Sequence, residues 1–163
     1  MRRNRPKKII KIPYDSLSDD EKVRKNWQKT IRLYKRKEWS VAILRCATCI
    51  ELAVNFAIRQ EMAEDRKLPL PFVNKLLKNS NGIHHKYQNI YLPIMEEYEE
   101  HEELKKLWSD SISKTNTERN AVAHKGEFRN KLTATEIMKH TYHVLSVIFE
   151  IHSSNAKLKE LEI

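Results

Sequence analysis

Apolar positions recur at intervals of three and four along most of the chain. That is the spacing of one helix face, not of a strand. Val23, Trp27, Thr30, Ile31 and Tyr34 form one such stripe and predict a first helix from about Asp19 to Arg36. Lys22, Lys25, Lys29 and Arg32 fall off the stripe and give this helix a basic outer surface. A second, far more apolar helix is predicted from Trp39 or Ser40 to Asp65. Its polar residues are ordered. At about 100° per residue, Arg45, Thr48, Glu51, Asn55 and Arg59 share one sector of about 120°. Such a helix faces the core on most sides and a wet or charged surface on the remaining one.

Breakers divide the remainder. Leu68-Pro69-Leu70-Pro71 ends the second helix in an extended connection. A short helix from Phe72 to Lys78 and a turn at Asn79-Ser80-Asn81-Gly82 follow. The stretch 84–91 has no clear assignment. Pro93 suits a helix start, and 94–109 reads as helical. The helix holding Glu118 to Lys125 either continues the acidic helix before it or starts anew at Thr115, and it stops at Gly126, which suits a left-handed cap. The last helix is predicted from Ala134 to Ser153, with Ile137, Thr141, Val144, Ile148 and Ile151 on its buried face. Three capping boxes mark helix starts: Ser18 with Glu21, Thr115 with Glu118, and Thr133 with Glu136. No strand and no repeat is evident. The expected fold is all-α, a bundle of four to five main helices in one domain over 17–155. A flexible basic arm, 1–16, precedes it, and 156–163 is a tail or helix extension.

Composition narrows the class. The 163 residues are 40% hydrophobic, enough for a core and too many for a wholly disordered chain. Two glycines are too few for a hairpin-rich β fold or a glycine-rich phosphate loop. No stretch is as long and uncharged as a membrane span, and no apolar region of a secretory signal follows the basic N-terminus. Two cysteines cannot build a disulfide framework. The expectation is a cytoplasmic protein without a membrane partner. The net charge of +9 permits a polyanionic partner. Arg2, Arg3, Arg5, Lys7, Lys8 and Lys11 all lie in the arm, however, so the global charge says little about the folded body. The glutamates from Glu96 to Glu103 read as a solvated helix face.

The densest chemical cluster runs from Glu118 to Gly126. Asn120 and His124 are four apart and share a helix face. Arg119 and His124 lie about 140° apart around the axis, but the long arginine side chain can swing toward the imidazole. Ala121 and Ala123 leave room for another surface. Histidine moves protons near neutral pH, arginine presents a fixed positive fork to phosphate oxygens, and asparagine can orient either. These groups suffice for attack by an RNA 2′-hydroxyl on its adjacent phosphorus. The alternative is a solvated helix in a non-catalytic module that binds nucleic acid or a protein partner.

Arg119-Asn120-x-x-x-His124, with Gly126 beyond it and a final amphipathic helix, resembles the signature of the HEPN superfamily. The resemblance implies an all-helical, metal-independent endoribonuclease in a toxin–antitoxin or antiviral defence setting, with no cofactor. It implies that Arg119, Asn120 and His124 are catalytic. It further implies a homodimer with a composite site, and an antitoxin or nucleotidyltransferase as a possible partner. The polar stripe would border the cleft, with Arg45, Glu51 and Asn55, together with Lys125, as cleft-lining or substrate-binding candidates. The segment 68–91 and the basic arm have no place in the shared pattern.

Other candidates carry less. Cys46-Ala47-Thr48-Cys49 has CxxC spacing but lies inside an apolar helix, so both read as core cysteines. His140 and His143 are three apart on the last helix, and no third metal ligand is visible. His84-His85 sits in a predicted loop. Trp27, Trp39 and Trp108 read as core or interface residues.

Overall fold

The computed structural model describes residues 12–153 and 158–161, and they contain helices and turns but no strand. The fold is all-α. Helix α1 (Asp19–Lys35) begins with the predicted capping box, in which Glu21 accepts from the Ser18 backbone N–H at 3.0 Å. Helix α2 (Trp39–Arg59) passes without a break into a π-helical turn, Gln60–Asp65. After the Leu68–Pro69 connection come α3 (Leu70–Asn79) and α4 (Gly82–Lys86). A π-helical turn, Tyr87–Tyr91, joins α4 to the short α5 (Leu92–Ile94). Helix α6 (His101–Leu107) runs through a third π-helical turn, Trp108–Ile112, into α7 (Ser113–Lys125). Helix α8 (Lys131–His152) closes the bundle.

The centre is α2, which packs against α1 on one side and α7 and α8 on others. Ile43, Cys46, Ile50, Ala53, Val54, Ala57 and Ile58 are buried along it. They meet Trp27 and Ile31 of α1 and Met138, Leu145 and Ile148 of α8. Contrary to the expectation from the sequence, one stretch, the helix with its π-helical end, Trp39–Asp65, is long and apolar enough to cross a membrane by length and composition. Here those side chains form the core.

Several expectations change. No helix starts at Thr115: the chain is already helical there, and the buried Thr115 hydroxyl donates to the Ser111 carbonyl at 3.1 Å. Helix α8 starts at Lys131, not Ala134. Its cap is Asn130, whose Oδ1 accepts from the Thr133 N–H at 3.0 Å, so Thr133 is a first-turn donor and not the cap. The glutamate run from Glu96 to Glu100 lies in turns between α5 and α6. Pro93 lies in the first turn of α5, and Met95, fully buried, anchors the turns that follow.

The ends of the chain are only partly described. Residues 1–11 of the predicted arm and residues 156, 157, 162 and 163 of the predicted tail lie outside the described residues. Within the arm, Tyr14–Ser16 form a 3₁₀ turn, and Tyr14 Oη accepts from Asn26 Nδ2 at 2.8 Å. Within the tail, residues 158–161 are not helical. Leu158 and Leu161 pack on the core, and the Lys159 carbonyl accepts from Trp27 Nε1 at 3.0 Å.

Contacts define two ends of the bundle. At one, Tyr34 Oη shares a hydrogen bond with Thr135 Oγ1, and Ser40 Oγ accepts from the Arg129 backbone N–H at 2.9 Å. At the other, Arg59 pairs with Asp19 at 3.0 Å, and His152 Nδ1 lies 3.4 Å from Glu61 Oε1. His152 Nε2 also shares a hydrogen bond with Tyr91 Oη at 2.8 Å, and Glu61 Oε2 accepts from Tyr98 Oη at 2.9 Å. Burial lowers the His152 pKa to about 4, outweighing the pull of Asp65 and Glu100. The unfolded chain therefore binds this proton more readily than the folded one does. Stability is fully present above pH 6.5, the ordinary histidine value, and falls as pH drops from there toward 4. Urea midpoints across that range should show the fall, and His152→Gln should flatten it.

Candidate active site

Helix α7 is polar over most of its surface, and of its residues only Thr115 and Ala121 are buried. It ends because Gly126 adopts φ 65°, a left-handed conformation that disfavours side chains. The N–H groups of Gly126 and Glu127 both donate to the Ala121 carbonyl, which folds the chain back at the helix end.

The predicted triad comes together within one chain. Arg119 Nη1 donates to Asn120 Oδ1 at 2.8 Å and lies 3.2 Å from His124 Nε2. A guanidinium has only donors, so this contact uses the Nε2 lone pair and leaves the ring proton on Nδ1. The helical divergence of Arg119 and His124 is thus overcome by the arginine side chain. A second protomer is not needed to bring the two together. Asn120 holds the guanidinium in place. His124 is exposed, while Arg119 and Asn120 are half-buried. Once a phosphate draws the guanidinium off Nε2, that nitrogen is free to take a proton while the arginine balances the charge of the ester.

Arg129 frames this site, and the sequence reading missed it. Its guanidinium pairs with Glu118, next to Arg119, and with Glu127 at 2.7 Å. Glu118 first, then Glu127, raises the Arg129 pKa above its ordinary value. Its backbone N–H reaches Ser40 on α2. One residue thereby ties the end of α7, the loop after it and the start of α2. The ion pair with Glu118 spans eleven positions and depends on the chain turning at Gly126, so no local spacing announces it. A surface cleft of about 230 Å³ between α7 and α8 shares Glu118 with this frame and is lined by Lys114, Thr117 and Glu136.

The polar stripe of α2 serves other neighbours. Arg45 Nη1 donates to Asn26 Oδ1 at 3.2 Å, and Glu51 pairs with Lys86 at 2.7 Å. Asn55 Oδ1 is buried without a hydrogen-bond partner among the described residues. The hydrogen bonds of Arg45 and Glu51 thus run to α1 and α4, not to Arg119, Asn120 or His124. Lys125 is exposed beside His124 and has no ion-pair partner among the described residues.

The remaining candidates are structural. Cys46 and Cys49 are buried free thiols, and Cys46 Sγ lies 3.6 Å from Met138 Sδ. Burial raises both thiol pKa values, that of Cys49 to about 12, so neither is a ready nucleophile. His140 shares a hydrogen bond with Ser111 Oγ at 3.1 Å, and His143 is exposed. Among the described residues, no three His, Cys, Asp or Glu side chains group to hold a metal ion. His84 meets Trp108 edge-on at 5.1 Å, Trp108 stacks on Tyr87 at 5.8 Å, and Trp39 packs on Tyr34 at 5.0 Å. These tryptophans hold helices together.

No family model, curated protein or solved structure matches the chain. Function must be read from the residues themselves. The first test is the His124 tautomer. Ring nitrogen NMR in mildly alkaline solution should show His124 with Nε2 unprotonated, and Arg119→Ala should let the two tautomers mix. A predominant Nε2–H form in the unaltered chain would contradict the contact.

Proposed function

We propose that this protein is a metal-independent endoribonuclease of the HEPN type. The observation that carries the reading is the hydrogen-bonded set Arg119–Asn120–His124, exposed at the end of α7. In the reaction, the RNA 2′-oxygen attacks the adjacent phosphorus while the bond to the 5′-oxygen breaks. As Arg119 turns from Nε2 to the phosphate, His124 takes the 2′-proton there or, already protonated, returns a proton to the leaving oxygen. Arg119 stabilises the charge that gathers on the phosphorane. Asn120 positions Arg119 and is not itself a proton carrier. The products are a 2′,3′-cyclic phosphate and a 5′-hydroxyl.

The step needs both a base and an acid, and each chain supplies one histidine to this cluster. A second copy would bring the second His124, which favours a homodimeric composite site over a single-chain one. The convergence of Arg119 and His124 removes the geometric argument for a dimer and leaves this chemical one. An antitoxin or nucleotidyltransferase partner, a defence role and a cytoplasmic location belong to the same reading.

The test is cleavage of a labelled RNA in EDTA. His124→Ala should slow it by about 10²–10⁴-fold, the usual span for loss of a general acid–base group. Arg119→Lys should also lose most activity, because a point charge does not replace the planar fork that Asn120 holds for the phosphate. Equal cleavage by His124→Ala sinks the assignment. RNA binding without cleavage, steeply weakened by salt, would instead favour a non-catalytic binding module.

A further inference from the structure

Phe128 is 92% exposed, and Leu132, the second residue of α8, is 78% exposed. An aromatic ring this bare has given up the burial that ordinarily stabilises it. Its backbone is nevertheless held on both sides. Before it, the Glu127 N–H bonds the Ala121 carbonyl; after it, Arg129 bonds Ser40, Glu118 and Glu127. The ring is therefore presented by a fixed loop, four residues beyond His124 and next to the residue that reaches back beside Arg119.

The surroundings decide what such a ring meets. Lys37, Lys125 and Lys131 are exposed and lack ion-pair partners among the described residues. Lys125 and Lys131 flank Phe128 in sequence. The Ser40–Arg129 and Tyr34–Thr135 bonds bring the α1–α2 turn, with Lys37, to the same end of the bundle. Protein interfaces are depleted in lysine at their centres. An aromatic platform among unpaired cations is instead the pattern that holds single-stranded nucleic acid, with cations along the phosphates and the ring under a base.

We propose that Phe128 stacks an unpaired RNA base beside the Arg119–His124 pair and so selects single-stranded over duplex RNA. The inference rests on the endoribonuclease reading for its substrate class. In a duplex, bases are stacked on each other and offer no free face, whereas loops and single strands do.

The experiment measures binding to the full chain, so that it does not depend on cleavage. The probe is a short 2′-O-methyl RNA, which lacks the attacking hydroxyl, used single-stranded and as a duplex in fluorescence anisotropy. Phe128→Ala should weaken single-strand binding by about tenfold or more, within the span measured for one stacked base, and leave duplex binding unchanged. Phe128→Trp should retain binding, and Phe128→Leu should not. The proposal is overturned by three results: unchanged binding in Phe128→Ala, full rescue by Phe128→Leu, or no binding of the single strand by the unaltered chain. It is also overturned if Phe128→Ala dissociates a dimer in light scattering while RNA affinity stays constant. Failure of the endoribonuclease reading shows separately, as cleavage that survives His124→Ala while the anisotropy result stands.

Discussion

Burial of α2 is the constraint on which the rest of the structure depends. A helix apolar on most sides cannot face water, so α1, α7 and α8 must cover it. Each covering helix then needs only one apolar stripe, and its other faces are free for charge. The Val23–Trp27–Ile31 stripe of α1 and the Ile137–Val144–Ile148 stripe of α8 meet this need. Helix α7 contributes little apolar surface of its own and is held in place by its neighbours. Ser111 meets His140, Ala121 is buried, and Arg129 clamps the far end to α2. A polar helix is thus kept at the surface in a fixed position, which is the requirement for a preorganised site.

The same packing sorts charge along the bundle. Asp19, Asp20, Glu61, Glu64 and Asp65 cluster where α1 begins and α2 ends. Lys37, Lys125 and Lys131 gather where α7 ends and α8 begins. At the first end Arg59 and Arg24 pair with these acids, whereas at the second the three lysines have no ion-pair partner among the described residues and stay open to an anion. This separation matters more than the net charge, much of which belongs to residues 1–11. The buried His152 and Glu61 side chains close the acidic end, where burial lowers the His152 pKa against the pull of nearby carboxylates.

Much of the fold was legible from periodicity, because the stripes of α1, α2 and α8 are long and regular. The errors have local physical causes. Thr115 has a capping sequence, but the π-helical turn Trp108–Ile112 carries the helix through it, and its hydroxyl is spent on Ser111. Asn130 Oδ1 takes the Thr133 N–H that the predicted box would have given to Glu136, so α8 starts earlier. The glutamate run looked helical by composition, yet only Glu102 and Glu103 lie in a helix, and Glu96 to Glu100 form the turns that follow the buried Met95. At the candidate site, Arg119, Asn120 and His124 were legible because their interactions stay within one and a half helical turns. Arg129 and Phe128 were not, since the roles of both depend on where the loop after Gly126 lands in space. The stripe residues Arg45 and Glu51 were correctly ordered on α2, but the sequence could not show that Asn26 and Lys86 would engage them.

The central claim is that Arg119 and His124 form a proton-transferring, phosphate-binding unit that acts through the RNA 2′-oxygen. The most direct measurement is the chemical identity of the RNA ends, read by mass spectrometry after incubation with the protein in EDTA. The account predicts 2′,3′-cyclic phosphate and 5′-hydroxyl ends that vanish with His124→Ala. Ends bearing a 3′-hydroxyl and a 5′-phosphate would contradict it, because they require water and not the 2′-oxygen as the nucleophile.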